Sequence, residues 1–346
     1  MEINEKEIEK IAADYFSSRT PGMALLIGEG GRIVYKNGFG MADVEKGIPI
    51  DPDTAFIIAS ITKQFTAMAV MMLKERRLLS YDDIIARFFP DFPDYKDRVN
   101  IRHLMTHTSG IKEYFDDDFI KLAHEMGDSL TQEDIFERIK NFGGLEFEPN
   151  TRFSYCNSSY VMLGAIVEKV SQKSFAEFLK ENIFDPLGMN RTVVGTSSKQ
   201  KILKMASGYT LDGKGCYKKT PLDMAAIGWA DGNIISTVED LFKWHNALYT
   251  EKLVKKETLR EAFTSHMLKD GTPTNYGFGW FLGSRRGIRE IWHTGGTVGY
   301  VSRFSRFVDE NVAVIMLTNL YDLAGPKRDE LFDRIVEVVL KDKFKH

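Results

Sequence analysis

Cysteine is scarce: Cys156 and Cys216 are the only two in 346 residues. Two thiols cannot build a disulfide framework, and no Cys-x-x-Cys pair offers the start of a structural zinc site. Both are expected as buried free thiols. Long apolar runs are missing as well. The longest, Phe65 to Leu73, falls well short of the roughly 18 residues of a membrane span and runs into Lys74, Glu75, Arg76 and Arg77. The start, Met1-Glu2-Ile3-Asn4-Glu5-Lys6, has no basic segment followed by an apolar stretch. No secretory signal is therefore expected, and the reading is cytoplasmic, compatible with a signal already trimmed away. An excess of one charge is lacking too. Lys plus Arg is 46 and Asp plus Glu is 49, a net charge of -3, which gives no whole-protein field for nucleic acid. Internal repeats and low-complexity tracts are absent. What remains, 43% hydrophobic and 27% charged residues, is the composition of a folded globular chain.

Hydrophobic spacing places the elements. Ile8, Ile11, Ala12, Tyr15 and Phe16 repeat at helical period. Met23 to Gly28 and Arg32 to Phe39 read as two strands across the turn Glu29-Gly30-Gly31. That turn joins strand to strand, so it is no dinucleotide fingerprint. Ser60 to Arg77 reads as a long helix with Phe65, Met68, Ala69, Met72 and Leu73 on its apolar face. A mostly helical middle comes next: Ile101 to Met105, Phe119 to Glu125, Thr131 to Lys140, Ser158 to Val170 and Phe175 to Ile183, with Gly195 to Lys204 as a loop. Val238 to Leu248 is helical. Gly277 to Gly283, Ile288 to His293, Tyr300 to Phe307 and Val312 to Thr318 read as consecutive antiparallel strands, and Leu331 to Val339 closes the chain as a helix. Strands at both ends are expected to share one sheet. The fold class is α/β of the α+β type, an antiparallel sheet flanked by N- and C-terminal helices. Residues 1–85 and 205–346 form the sheet region, 86–204 a mainly helical insert, and the active site lies between them.

Three short patterns could carry chemistry. In Ser60-Ile61-Thr62-Lys63 the two polar ends lie one turn apart on a helix, so Lys63 can reach the Ser60 hydroxyl and take its proton. Ser109 to Lys112 and Ser198 to Lys201 share the spacing, but Ser60 alone opens a long apolar-faced helix; it reads as a nucleophile or as an N-cap. In Tyr155-Cys156-Asn157 the phenol and amide project to one side of extended backbone. A lysine nearby can lower the phenol pKa and make it a base, while Asn157 reads equally as a helix cap. Tyr35-Lys36-Asn37 repeats the pattern in a strand or turn. In His293-Thr294-Gly295-Gly296, glycines at a strand end allow a ligand close to the backbone, or simply make a turn.

In this order, Ser-x-x-Lys, Tyr-x-Asn and His-Thr-Gly, the chain resembles the penicillin-recognising serine hydrolases, in the branch of class C β-lactamases, DD-carboxypeptidases, D-aminopeptidases and related esterases. The likeness runs roughly from Gly22 to Asn319. It includes Phe56 to Thr66, Leu104-Met105-Thr106-His107-Thr108-Ser109-Gly110-Ile111, Asp185-Pro186-Leu187-Gly188-Met189, Ser236 to Leu241 and His293 to Gly296. It implies a β-lactamase/transpeptidase-like fold and a serine hydrolase acting through an acyl-enzyme on amide, ester or β-lactam carbonyls. An esterase or D-aminopeptidase with weak β-lactam hydrolysis, and a penicillin-binding or sensor protein without turnover, are the alternatives. The resemblance makes Ser60 the nucleophile, gives Lys63 and Tyr155 the proton transfers, and sets Asn157 on the substrate amide or on Lys63. The backbone N–H groups of Ser60 and Gly296 become the oxyanion hole, and His293, Thr294, Gly295 and Gly296 the substrate edge. In the family, His107 to Gly110 looks like scaffold. No cofactor or metal is implied, and the partner is a small-molecule or peptide substrate.

One departure stands out. Many β-lactamases carry lysine where His293 stands, and a histidine titrating near pH 6.5 is a weaker site for a substrate carboxylate. Arg303 is a possible substitute cation. His103 and His107 lack the glutamate of a zinc helix, and Asp116-Asp117-Asp118 lacks calcium-loop spacing and reads as a solvated turn. Tyr114, Phe115, Trp229 and Tyr300 could line a cleft or pack the core. There is no Gly-x-Ser-x-Gly elbow, which argues against an α/β-hydrolase.

Overall fold

The computed structural model describes residues 3–222 and 228–344; Met1 and Glu2, the first residues of the N-terminal stretch considered above, lie outside them. Six strands form one antiparallel sheet: β1 (Met23–Glu29), β2 (Arg32–Phe39), β3 (Phe281–Arg285), β4 (Ile288–Thr297), β5 (Tyr300–Phe307) and β6 (Val312–Thr318). Their spatial order is β3-β4-β5-β6-β1-β2. Strand β1 thereby joins the two ends of the chain, Met23 opposite Thr318 and Glu29 opposite Val312.

Five helices build the core and the site: α1 (Glu5–Ala13), α2 (Thr62–Glu75), α3 (Asn157–Ser171), α4 (Val238–Ala247) and α5 (Pro326–Leu340). Side chains alternate across each strand. Leu25, Ile27, Val314 and Met316 pack against Ile8, Ile11, Leu331 and Ile335 of α1 and α5. Ala24, Leu26, Ile315 and Leu317 face the other way, into a larger core with Leu241, Phe242 and Trp244 of α4 and with α2. Both faces of β6 are covered, so it reads as one apolar run rather than an alternating one. Each such side chain contributes about 1.5–3 kcal/mol by leaving water.

Helix α2 starts at Thr62, two residues later than expected, and is buried from Thr62 to Leu73 rather than amphipathic. Its polar first turns find partners inside the protein, the buried Gln64 Nε2 excepted. Thr62 Oγ1 accepts from Ile234 N at 3.1 Å, Thr66 Oγ1 donates to Ala230 O at 2.5 Å, and Gln64 Oε1 accepts from Trp244 Nε1 at 3.0 Å. In the middle, Thr131 and Asp134 form a reciprocal cap at the start of Gln132–Asn141, as their spacing suggests.

The expected strand Gly277 to Gly283 is displaced to β3. Tyr276, Phe278 and Trp280 alternate with glycines and so mimic a strand, but Gly277 N donates to Trp280 O at 2.8 Å and closes a turn. Gly279 sits at φ 79°, where a side chain would lie 2.8 Å from the Lys63 carbonyl oxygen. This turn packs on the start of α2 instead of pairing. Among the described residues no helix is long and apolar enough to cross a membrane.

Candidate active site

The short strand Phe56–Ile57 leads into a single tight turn, Ala59–Ile61, and then into α2. Ala59 has left-handed backbone, φ 48°, which costs an L-residue roughly 1–2 kcal/mol. The turn is held from both sides: Ile58 N donates to Ile234 O at 2.9 Å, and Ser302 Oγ donates to Ile58 O at 2.9 Å. Ser60 does not cap the helix. The N-cap position is Ile61, without a side-chain bond, and the half-buried Ser60 Oγ lies 3.1 Å from Lys63 Nζ.

Lys63 is fully buried. Besides Ser60, its Nζ donates to Asn157 Oδ1 at 2.7 Å and to the Asp231 carbonyl oxygen at 2.8 Å. It sits 4.9 Å from the centre of the Tyr155 ring. Burial lowers its pKa to about 8, against the opposing pull of the Asp231 and Glu113 carboxylates. Asn157 opens α3 but is not its cap; Glu113 accepts from Asn157 N at 2.6 Å and from Phe115 N at 2.8 Å and so serves the helix end.

Tyr155 comes to the site with Asn157, as the alternation of extended backbone predicts. The expected lowering of its pKa does not occur. Burial raises it above that of an ordinary phenol, and the nearby Ser60 hydroxyl offsets only part of the effect. The phenol oxygen is buried and makes no hydrogen bond of good geometry among the described residues. A phenol in this state stays protonated near neutral pH.

The sequence His293 to Gly296 lies inside β4, not at its end. β3 pairs with β4 only from Ile288 to Trp292, while β5 continues alongside to Thr297. From His293 onward, one edge of β4 is therefore not covered by β3, and the serine turn lies against it. The two glycines serve different purposes. A side chain at Gly295 would lie 2.3 Å from Ile58 O, so its absence admits the serine turn; Gly296 has open space around it and is exposed. Thr294 is half-buried beside them.

His293 is buried, with Nε2 3.1 Å from Tyr276 Oη and Nδ1 2.6 Å from the Thr294 carbonyl oxygen. Nδ1–H donates to that carbonyl and Nε2 accepts from the tyrosine, a neutral pairing. Burial, with the charge of Lys63 second, lowers its pKa to about 3. The weak cation anticipated here is absent at neutral pH. Arg303 is no substitute: it donates to Glu290 at 3.0 Å and Asp329 at 2.9 Å, and its guanidinium stacks 4.1 Å from the centre of the Phe332 ring, under α5. Arg328, whose charge reaches His293, is held by Asp329.

The look-alike patterns do not assemble. Ser109 Oγ pairs with Ser159 Oγ and Lys112 Nζ donates to Phe142 O; Ser198 donates to Asp128. Tyr35 and Asn37 sit in β2, bonded to each other at 3.4 Å. Tyr114 is buried with its hydroxyl on Asp231, Tyr300 donates to Ala206 O, and Trp229 is buried, so these three pack; Phe115 is half-buried. His103 completes the capping of Ile101–Met105, and Asp116 caps the next helix while holding Arg138. Cys156 is buried, but Cys216 is exposed, contrary to expectation, in the hairpin turn after Tyr209–Leu211.

Sequence reasoning missed three residues. Asp231 and Glu113 lie singly in loops and offer no pattern; each is recognisable only because the fold sets it near Lys63. Both have raised pKa values, burial being the main cause. His107, read as scaffold, also reaches the site: its Nδ1 accepts from Cys156 N at 3.0 Å and its ring lies 4.3 Å from that of Tyr155.

An antiparallel sheet against a helical layer, with a serine, lysine and tyrosine gathered at their junction, is the architecture of the β-lactamase and transpeptidase class. The chain matches the Beta-lactamase family model over residues 5–337 and belongs to that family. It is 35% identical to penicillin-binding protein 4* of Bacillus subtilis (strain 168), over 85% of this chain and 67% of that protein. The octameric penicillin-binding protein homologue from Pyrococcus abyssi superposes with a TM-score of 0.82 at 30% identity, covering 98% of this chain and 78% of that one. The D-amino acid amidase from Ochrobactrum anthropi SV3, complexed with D-phenylalanine, gives 0.82 at 25% identity, covering 98% and 99%. The chain spans about two thirds of the length of the curated relatives it matches first.

Proposed function

We propose that this protein is a serine hydrolase in which Ser60 forms an acyl-enzyme with an amide or ester substrate. The observation that carries the reading is the environment of Lys63 Nζ. Two carbonyl acceptors, Asn157 Oδ1 and Asp231 O, are placed to take two N–H bonds, and the third direction points at Ser60 Oγ. In the neutral amine that third direction is the lone pair. A pKa of about 8 makes the neutral form accessible close to physiological pH.

Lys63 accepts the Ser60 proton as Oγ attacks the carbonyl carbon, and the resulting oxyanion rests on the backbone N–H groups of Ser60 and Gly296. Tyr155 donates a proton to the leaving nitrogen or oxygen and is reprotonated from Lys63, and the C–N or C–O bond breaks. Water then attacks the ester, its proton returns through the same groups, and Ser60 is regenerated. Thr294 and the uncovered edge of β4 align the substrate.

The charge around the serine favours amide, peptide and ester substrates over β-lactams. β-Lactam antibiotics carry a carboxylate beside the scissile ring, yet His293 is neutral and Arg303 is committed elsewhere. Glu113 and Asp231 place two further acids near Lys63. Acyl donors with a free amine, or none of either charge, suit this balance better, in line with the likeness to a D-amino acid amidase.

A fluorophosphonate should add its mass to the peptide containing Ser60, and Ser60→Ala should abolish both labelling and turnover. Turnover by folded Ser60→Ala at the wild-type rate removes the reading. Parallel rates on nitrocefin, a p-nitrophenyl ester and D-alanine p-nitroanilide decide the substrate class; nitrocefin as the best substrate would overturn the charge argument.

A further inference from the structure

Tyr155 poses a positional problem. Its phenol oxygen makes no hydrogen bond of good geometry among the described residues, although the Ser60 hydroxyl acts on it, so the tip alone does not fix the side chain. Its aim is set from the backbone and from behind the ring.

His107 contributes to both, alongside the rings of Tyr276, Phe281 and His293, which also flank Tyr155. The His107 carbonyl accepts from Ser154 N at 2.9 Å, and its Nδ1 accepts from Cys156 N at 3.0 Å. The two bonds bracket Tyr155 in the chain. The imidazole also lies 4.3 Å from the Tyr155 ring, tilted by 34°, with Tyr160 at 5.0 Å and Tyr276 at 4.8 Å. For one residue to present its carbonyl and its side chain to the same neighbouring segment, the backbone must turn sharply. His107 has φ 56°, at the end of the helix Ile101–Met105. That left-handed backbone closes the helix end, with His107 N donating to Leu104 O at 3.4 Å and Thr108 N to His103 O at 2.9 Å, and the closure does not itself require a histidine.

We propose that His107 is the positioning residue of Tyr155, its carbonyl and Nδ1 gripping the backbone on either side so that the phenol is held beside Lys63 and Ser60. This rests on the reading of Tyr155 as the proton carrier. The grip requires an unprotonated Nδ1, which fixes the Nε2–H tautomer. Full burial, and then the charge of Lys63, keep the imidazole neutral well below its usual range.

The test uses leaving-group dependence. A proton donor matters for an anilide or amide, whose nitrogen must be protonated to leave, and hardly at all for p-nitrophenolate. Rates are measured for D-alanine p-nitroanilide and D-alanine p-nitrophenyl ester with wild type, Tyr155→Phe, His107→Phe, the double variant and His107→Asn, each checked for folding and for fluorophosphonate labelling of Ser60. His107→Phe keeps a ring and removes the acceptor. It should lower kcat on the anilide at least tenfold more than on the ester, with KM changed less than threefold. In the double variant its effect should vanish, because the phenol it positions is gone. His107→Asn retains an acceptor and tolerates left-handed backbone, so it should keep the wild-type anilide-to-ester ratio to within about threefold.

Equal losses on both substrates, or His107→Phe and Tyr155→Phe losses that multiply in the double variant, would reduce His107 to packing and overturn the proposal. A selective anilide loss in folded His107→Asn would do the same, and this arm stands even if His107→Phe does not fold. If Tyr155→Phe itself leaves the anilide-to-ester ratio unchanged, the reading of Tyr155 falls and the positioning role with it.

Discussion

Replacing Asp231 with asparagine should move the pH at which this enzyme switches on. Burial lowers the Lys63 pKa to about 8, and the strongest attraction opposing it is that of the Asp231 carboxylate. A negative charge near an ammonium favours the protonated form, so removing it lowers the pKa further. If neutral Lys63 is the base, wild-type kcat/KM on an uncharged ester such as p-nitrophenyl acetate should fall roughly tenfold per unit below about pH 8. Loss of one opposite charge typically shifts a neighbouring group by about 1–3 units. The lower figure suits this site because the carboxylate is itself a costly buried charge, held by Trp229 N at 2.8 Å and the Tyr114 hydroxyl at 3.1 Å. The acid limb of Asp231→Asn should therefore shift down by about one unit, making the variant close to tenfold faster than wild type at pH 6.5 by the same proportionality. Tyr114→Phe removes a hydrogen bond and leaves the charge, so its limb should stay near that of wild type. The assay is kcat/KM from pH 5.5 to 9.5, with each variant's folding checked by circular dichroism. A wild-type profile flat across this range, or a limb that Asp231→Asn moves upward, would refute Lys63 as the base.

Three further outcomes are expected. Lys63 has a folded pKa of about 8 against an ordinary 10.5, so between those pH values the unfolded chain binds more protons and stability rises with pH, by about 3 kcal/mol from this group. Lys63→Met should remove that rise in urea unfolding measured at pH 7.5 and 10. Gly295→Ala places a methyl 2.3 Å from the Ile58 carbonyl oxygen; forcing the serine turn away should cost about 1–3 kcal/mol in thermal melts and slow Ser60 labelling more than tenfold. Arg303→Met removes one of the two guanidiniums on the buried Glu290, Arg285 remaining at 3.2 Å, and should cost about 1.5–3 kcal/mol, while the ratio of ester to nitrocefin turnover stays within twofold, since Arg303 faces α5 and not the serine.

How far the sequence reached depended on the range of the interaction. Ser60 and Lys63 are one helical turn apart, and Tyr155 and Asn157 are separated by one residue of extended chain. Backbone geometry alone determines that each pair can point together, and each does. The helical middle was legible because a covered face leaves a period in the sequence, while β1 and β6, covered on both faces, were legible as short apolar runs bounded by turn residues. Tertiary contact decided the rest. Ser109 and Lys112 have the same spacing as Ser60 and Lys63, yet Ser159 and Phe142 claim them. The burial of α2 hides a polar first turn that spacing alone assigns to solvent. Arg303 sits opposite Thr294 in the ladder, and only the partners beneath the sheet, Glu290 and Asp329, reveal that its side chain goes to α5.

The histidine in His293-Thr294-Gly295 illustrates the same limit in chemical terms. From sequence it is a titratable group near pH 6.5, and a partial positive charge is the natural expectation. In the fold it lies between Tyr276 and the Thr294 carbonyl, with Lys63 near enough for its charge to oppose protonation. Two positive groups so close in a buried site cannot both be charged without a large cost, and the lysine has the better partners: two carbonyl acceptors and two nearby carboxylates. The positive charge therefore belongs to Lys63: it is absent from the neutral amine that awaits the substrate, and it returns when that amine takes the Ser60 proton. The substrate then meets an edge of β4 that carries no fixed cation, and this is the physical reason for ranking amine-bearing or uncharged acyl donors above substrates that carry a carboxylate at the scissile bond.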